Sequence, residues 1–134
     1  MKRRDILAGA VALAAGSEAF AQPAEEQKMF GLIGKLTVRP DQRDAFIAIL
    51  MRGTSAMPGC LSYIIAKDQE DEAAVWVTEV WDNQASHDAS LSLPSVKQAI
   101  AEGRVMITGG GSRVTTIPVG GHGLNPVKTG GARF

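Results

Sequence analysis

Two short runs, CLSYIIAK at residues 60–67 and AAVWVTEVW at 73–81, flank the acidic stretch DQEDE. Both are rich in β-branched and aromatic residues, and a solvated turn between such runs reads as an antiparallel hairpin. Their pattern is the constraint. A hairpin with one face in water alternates apolar with polar residues, whereas these strands are apolar on both sides. Leu61, Tyr63 and Ile65 oppose Ile64 and Ala66 in the first run, and Trp76 and Val80 oppose Val75, Val77 and Trp81 in the second. A sheet built on this hairpin needs a cover on each face, because a bare one would expose more apolar surface than a soluble monomer tolerates.

The flanking sequence supplies one of the two covers. MFGLIGKLTV, residues 29–38, is partly alternating and reads as a first strand. Pro40 and Asp41 then signal a helix start, and Phe46, Ile49, Leu50 and Gly53 recur at one-face helical spacing until Pro58 and Gly59 break the run. Beyond the hairpin, Asp82 or Asn83 can cap a further helix, and Pro94 suits the first turn of PSVKQAIAEG, which Gly103 ends. A last strand reaches Val119 from a start near Arg104 or Ser112, with a bulge or bend expected at Gly109, Gly110 and Gly111. The order β-α-β-β-α-β predicts an α+β, ferredoxin-like domain: a four-stranded antiparallel sheet with its helices on one face. A second copy of the chain is the economical cover for the other face, so a homodimer is expected.

The ends of the chain read differently. Lys2, Arg3 and Arg4 precede ten apolar or small residues, 6–15, and Ala19-Phe20-Ala21 gives the small-x-small pattern of a cleavage site. Residues 1–21 are therefore expected to be a removed signal peptide, since ten helical residues cover only about half of a ~30 Å hydrocarbon core. Arg3 and Arg4 followed by Asp5, Ile6 and Leu7 resemble a twin-arginine signal, with an ordinary Sec signal as the alternative. The mature protein would be periplasmic or secreted and free of the membrane. It divides into a domain over 22–119 and a glycine-rich arm over 120–134. That arm is either a disordered tail or a segment lying over the partner subunit, which would bring His122 near a pocket.

Composition excludes several functions. Fourteen basic and fourteen acidic residues give a formal charge of zero, and loss of Lys2, Arg3, Arg4, Asp5 and Glu18 leaves −1, so there is no basic footprint for nucleic acid. Cys60 is the single cysteine, which rules out an intramolecular disulfide and reads best as a small buried residue. His87 and His122 are the only histidines; neither stands at metal-ligand spacing, and no GxGxxG marks a dinucleotide site. No metal and no cofactor are expected.

Between the hairpin and the Pro94 helix lies EVWDNQASHDASLSLPSV, where period two sets Glu79 and Trp81 on one strand face, and His87, Ser90 and Leu91 fall at i, i+3 and i+4 of a helix. Over residues 29–119, this stretch together with PDQRDAFIAIL, MPGCLSYIIAK and the EVW that ends strand three resembles the antibiotic biosynthesis monooxygenase family. The resemblance implies a dimeric α/β-barrel type of ferredoxin-like protein. That family embraces quinol monooxygenases, haem-degrading enzymes, signal-molecule isomerases and proteins of no known activity. Its usual helix histidines, near Ser90 and Ser95, are absent here, and His87 stands one turn earlier. Trp81 matches the haem-degrading branch, but that branch's strand-one asparagine and its later histidine, at Ile100, have no counterpart, which disfavours haem binding or degradation.

The resemblance also implies that Glu79 and Trp81 face the helices and line a cavity. Two readings of His87 stay open: a general base, or an exposed or capping histidine. Glu79 is either an acid–base group in a dry pocket or a solvated carboxylate, and Trp81 is core, wall or both. The expected function is a cofactor-independent monooxygenase that oxidises a quinol or polyphenol-like aromatic with O₂. Such a substrate carries its own electrons and needs from the protein a base, an apolar cage and exclusion of water. His87 and Glu79 are the candidate catalytic groups; Trp81, Ser90, Leu91, Tyr63 and His122 are the candidate substrate lining. The alternative is a non-catalytic or stress-related dimeric module that holds a small aromatic in the same pocket.

Overall fold

The structure is a computed structural model and describes residues 28–124; the expected signal peptide over 1–21 and the arm beyond residue 124 lie outside the described residues. Strand β1, Phe30–Val38, is followed by a single 3-10 turn at Pro40–Gln42 and helix α1, Arg43–Gly53. Strands β2, Cys60–Lys67, and β3, Ala74–Trp81, form the hairpin. Two helices come next, the short α2, Gln84–Ser90, and α3, Pro94–Arg104. Two short strands, β4 at Ile107–Gly109 and β5 at Arg113–Thr116, close the described chain. No helix among the described residues is long and apolar enough to cross a membrane.

The antiparallel sheet runs β2-β3-β1, and β4 and β5 both pair with the far edge of β1. The expected single last strand is thus two pieces, and the sheet has five strands rather than four. Gly110–Ser112 interrupt it, with the Lys35 amide donating to the Ser112 carbonyl at 3.0 Å. A Cβ on Gly111 would run into the Lys35 carbonyl, so the chain can pass that close only where there is no side chain. Helix α3 also extends to Arg104, so the earlier of the two expected strand starts is helical.

The helices pack on the face that carries Leu36 and Val38 of β1 and Val75 and Val77 of β3. Phe46 of α1, 2% exposed, is driven into that layer with Val38 and Val75, and burying a phenylalanine fully is worth ~1.5–3 kcal/mol. Helices α1 and α3 approach closely because their contacts are small: a Cβ on Gly53 would strike the Ala99 methyl, and one on Gly103 would sit 2.9 Å from the Phe46 ring. The Arg43 guanidinium joins α1 to the hairpin turn by donating to the carbonyls of Asp68, Asp71 and Ala74.

Asp68 is the hub of that turn. Its carboxylate accepts the Trp76 indole N–H at 2.8 Å and the amides of Asp71 and Glu70 at 2.8 and 2.9 Å, with the Lys35 ammonium 4.0 Å away. These donors, the indole first, hold its pKa down at about 2. A carboxyl with a lowered folded pKa stabilises the fold above its ordinary value of 3.8, and that contribution is lost as pH falls through about 2. Asp68→Asn is therefore expected to melt earlier than the parent at pH 7, with the gap closing below pH 2. Thermal melts by circular dichroism at both pH values check this, and an equal gap at both would contradict it.

The opposite sheet face has no cover among the described residues. Register aligns Ile64, Thr78, Ile33 and Val114 in one row across four strands, with Val80 and Trp76 in the adjacent rows. Ile64 is 56% exposed and Val114 51%.

Candidate active site

On the helix face, β1 and β3 pair so that Phe30 lies opposite Trp81 and Leu32 opposite Glu79, while Tyr63 of β2 is the other neighbour of Glu79. One end of the sheet thereby collects Phe30, Tyr63, Glu79 and Trp81. Helix α2 seats His87 above them. The local sequence explains why it lands there. Asn83 caps α2, its side-chain oxygen accepting the Ser86 amide at 2.9 Å. The chain before β2 passes beneath the first turn at Gly59, whose φ of +85° favours glycine and where a Cβ would collide with Ser86. The Asp82 amide donates to the Gly59 carbonyl at 2.9 Å and ties the two segments together.

His87 is enclosed on three sides. Its ring lies 5.0 Å from that of Phe30 and 5.5 Å from that of Trp81, the latter edge to face. Trp81 is 1% exposed, and its indole N–H donates to Glu79 Oε1 at 2.9 Å, so a buried donor and a partly buried acceptor satisfy each other. The same Oε1 is 4.0 Å from His87 Nε2, and both side chains are only 12% exposed. That gap is too long for a hydrogen bond, yet an oxygen about 2.8 Å from each atom would bridge them. On the other ring edge, Nδ1 is 3.1 Å from Oδ1 of the solvent-facing Asp88. When Nδ1–H donates to Asp88, Nε2 keeps its lone pair on the Glu79 side. The ring thus lies between two carboxylates, Glu79 on the Nε2 side and Asp88 on the Nδ1 side.

The other anticipated residues fall in different places. Tyr63 is largely buried beside Glu79, and its phenol is pushed well above the ordinary tyrosine value by that burial first and by the Glu79 charge second. Cys60 is half-buried rather than fully enclosed as expected, with its thiol raised by that burial and donating to the Ser62 carbonyl at 3.5 Å. Ser90 is 4% exposed, and its hydroxyl donates to the His87 carbonyl at 2.6 Å, so it braces the backbone that carries the imidazole. Leu91 is 48% exposed at the end of α2, and His122 is exposed in the turn after Gly121. Among the described residues, no three His, Cys, Asp or Glu side chains converge as metal ligands.

Phe30 was not anticipated. Its signal is non-local: only the pairing of Phe30 with Trp81 across two strands far apart in sequence brings it to His87. Phe30 also lines a half-open groove of about 980 Å³, with Lys28, Met29, Asn83, Gln84, Thr116 and Ile117 among its walls.

Together the fold and this cluster define a ferredoxin-like α+β protein with a histidine and a glutamate facing one another in an aromatic recess. The sequence profile of the antibiotic biosynthesis monooxygenase family matches residues 29–102, more than half of the chain, and the protein belongs to that family. A crystal structure of a candidate antibiotic biosynthesis monooxygenase from Chloroflexus aurantiacus J-10-fl is 59% identical, with a TM-score of 0.71 over 72% of this chain and 99% of that one. A second, from Caulobacter crescentus CB15, shares the fold at 20% identity, TM-score 0.64, over 71% of this chain and 93% of its own. A protein of Synechocystis sp. is 31% identical over 64 residues, 46% of this chain and 44% of that protein, so the match spans less than half of that relative's length.

Proposed function

We propose that the chain is an exported, dimeric monooxygenase that oxidises a quinol or polyphenol-like aromatic with O₂, and that His87 is its base. The observation that supports this most is the 4.0 Å approach of His87 Nε2 to Glu79 Oε1 inside an aromatic recess, each side chain 12% exposed. A phenolic hydroxyl that reaches Nε2 gives its proton to it, and Glu79, held by the Trp81 indole 4.0 Å from Nε2, stabilises the imidazolium that results. The phenolate is then electron-rich enough to reduce O₂ directly. One oxygen atom replaces a ring hydrogen and the other leaves as water, the diol becoming a hydroxyquinone as it gives up four electrons to O₂. No further reductant is required for the balance. Trp81 and Phe30 exclude water from the intermediates. Uptake of O₂ with a panel of hydroquinones tests the reading: it should depend on the protein and be insensitive to chelator. Binding of the hydroquinones without O₂ uptake would point instead to a module that only holds an aromatic.

The dimer belongs to the same proposal. The row Ile64, Ile33 and Val114, with Val80 and Trp76 beside it, is the face left uncovered by the described residues, and a two-fold contact with a second copy buries the same patch on both subunits. Export rests on residues 1–21. The mature protein is expected to begin at Gln22 in the periplasm, as N-terminal sequencing of the protein from its native host would show. An intact Met1 in the cytoplasmic fraction would overturn the export reading.

A further inference from the structure

We propose that Phe30 is the residue that controls access and size selection between the 980 Å³ groove and the His87–Glu79 pair. The inference rests on the proposed role of that pair. Neither His87 nor Glu79 lines the groove, and each is 12% exposed. Phe30 does line it, and its ring rests on the imidazole at 5.0 Å. Phe30 therefore borders both the groove and the base. The groove walls are mixed: Met29, Phe30 and Ile117 offer apolar contact, whereas Asn83, Gln84, Thr115 and Thr116 offer hydrogen bonds. This suits a flat aromatic that carries hydroxyl groups. To bring a hydroxyl to Nε2, such a molecule must displace the Phe30 ring from the imidazole and stack in its place.

Phe30 can move at small cost. It is the first residue of β1 and is only partly buried, so its side chain is anchored on one side by the strand and is not locked within the core. Its neighbours Met29 and Lys28 precede the strand. Leu32, two residues on and on the same face, is 6% exposed and has no such freedom.

The test compares Phe30→Ala, Phe30→Leu and Phe30→Trp with the parent in the full-length protein. Diethyl pyrocarbonate acylates accessible imidazoles, and mass spectrometry of the peptides reports His87 and His122 separately, so the exposed His122 serves as an internal reference. Phe30→Ala should raise the rate at His87 about tenfold at an unchanged rate at His122, Phe30→Leu should give an intermediate rise, and Phe30→Trp none. With substrate, Phe30→Ala should shift kcat/KM from benzohydroquinone toward the larger naphthohydroquinone. An unchanged His87 rate in both Phe30→Ala and Phe30→Leu would overturn the proposal, because the base would then be reached by another route. A raised His87 rate without oxidation of any hydroquinone would uphold the access role and reject the quinol reading, so the two can fail separately. Should Phe30→Ala not fold, the Leu and Trp variants decide the matter through the same His87 rate.

Discussion

Replacing His87 with alanine is expected to lower hydroquinone turnover by about 100-fold or more, the usual scale for loss of a general base, while the melting temperature changes little. The small effect on stability follows from the surroundings. His87 packs on Phe30 and Trp81 from a seven-residue helix that the Asn83 and Ser90 side chains hold by hydrogen bonds to its backbone, and those bonds survive the substitution. Trp81 keeps its acceptor too, because its indole donates to Glu79 and not to the imidazole. Glu79→Gln separates the roles further. Glutamine can still accept the indole N–H, so the wall stands, but the negative charge beside the imidazolium is gone. A fall in kcat with little change in KM is expected, since that charge acts once the proton has moved. Steady-state kinetics on both variants, beside melts of the same samples, check these outcomes. Full activity in His87→Ala would return the histidine to a packing role.

The second large effect is expected at the open sheet face. Ile64→Asp should convert the proposed dimer to a monomer at micromolar concentration, raising its Kd by at least 100-fold. Ile64 is 56% exposed, so a carboxylate there is hydrated in the monomer and costs the isolated fold little. Across a two-fold interface each copy would bring its own aspartate into an apolar contact with Thr78, Ile33 and Val114, where two like charges would be desolvated without a partner. Sedimentation velocity at several concentrations distinguishes the outcomes. A parent that sediments as a monomer would leave the apolar row without the cover proposed for it, and an Ile64→Asp protein that stays dimeric would move the interface elsewhere.

What could be read from the sequence followed how local each determinant is. Strand β2 runs from Cys60 to Lys67 as expected because Pro58-Gly59 and DQEDE punctuate both of its ends, and the Asn83 cap and the Pro94 start act within one helical turn. The stripe on α1 was legible for the same reason: Phe46, Ile49 and Gly53 are buried at the spacing the pattern sets. Of the last strand, the break near Gly109, Gly110 and Gly111 was legible but not the outcome of two separate strands, because glycines impose no pattern. Its division into β4 and β5 depends on how closely Gly111 passes the Lys35 carbonyl on another strand. In the candidate site, alternation was enough to put Glu79 and Trp81 on one face, and helical spacing to join His87 to Ser90. That the Ser90 hydroxyl bonds its own helix, and that Phe30 meets His87, depend on rotamer and strand register, which no short stretch of sequence carries.

On the proposed reading, the recess of His87, Glu79 and Trp81 directs an oxygen atom from O₂ into an aromatic diol. Turnover of a hydroquinone under ¹⁸O₂ in ordinary water, followed by mass spectrometry of the product, tests it most directly. The account predicts one ¹⁸O atom in the hydroxyquinone from the native protein and loss of that labelled product in His87→Ala. Product that carries oxygen only from water, or a simple quinone formed with release of hydrogen peroxide, would contradict it.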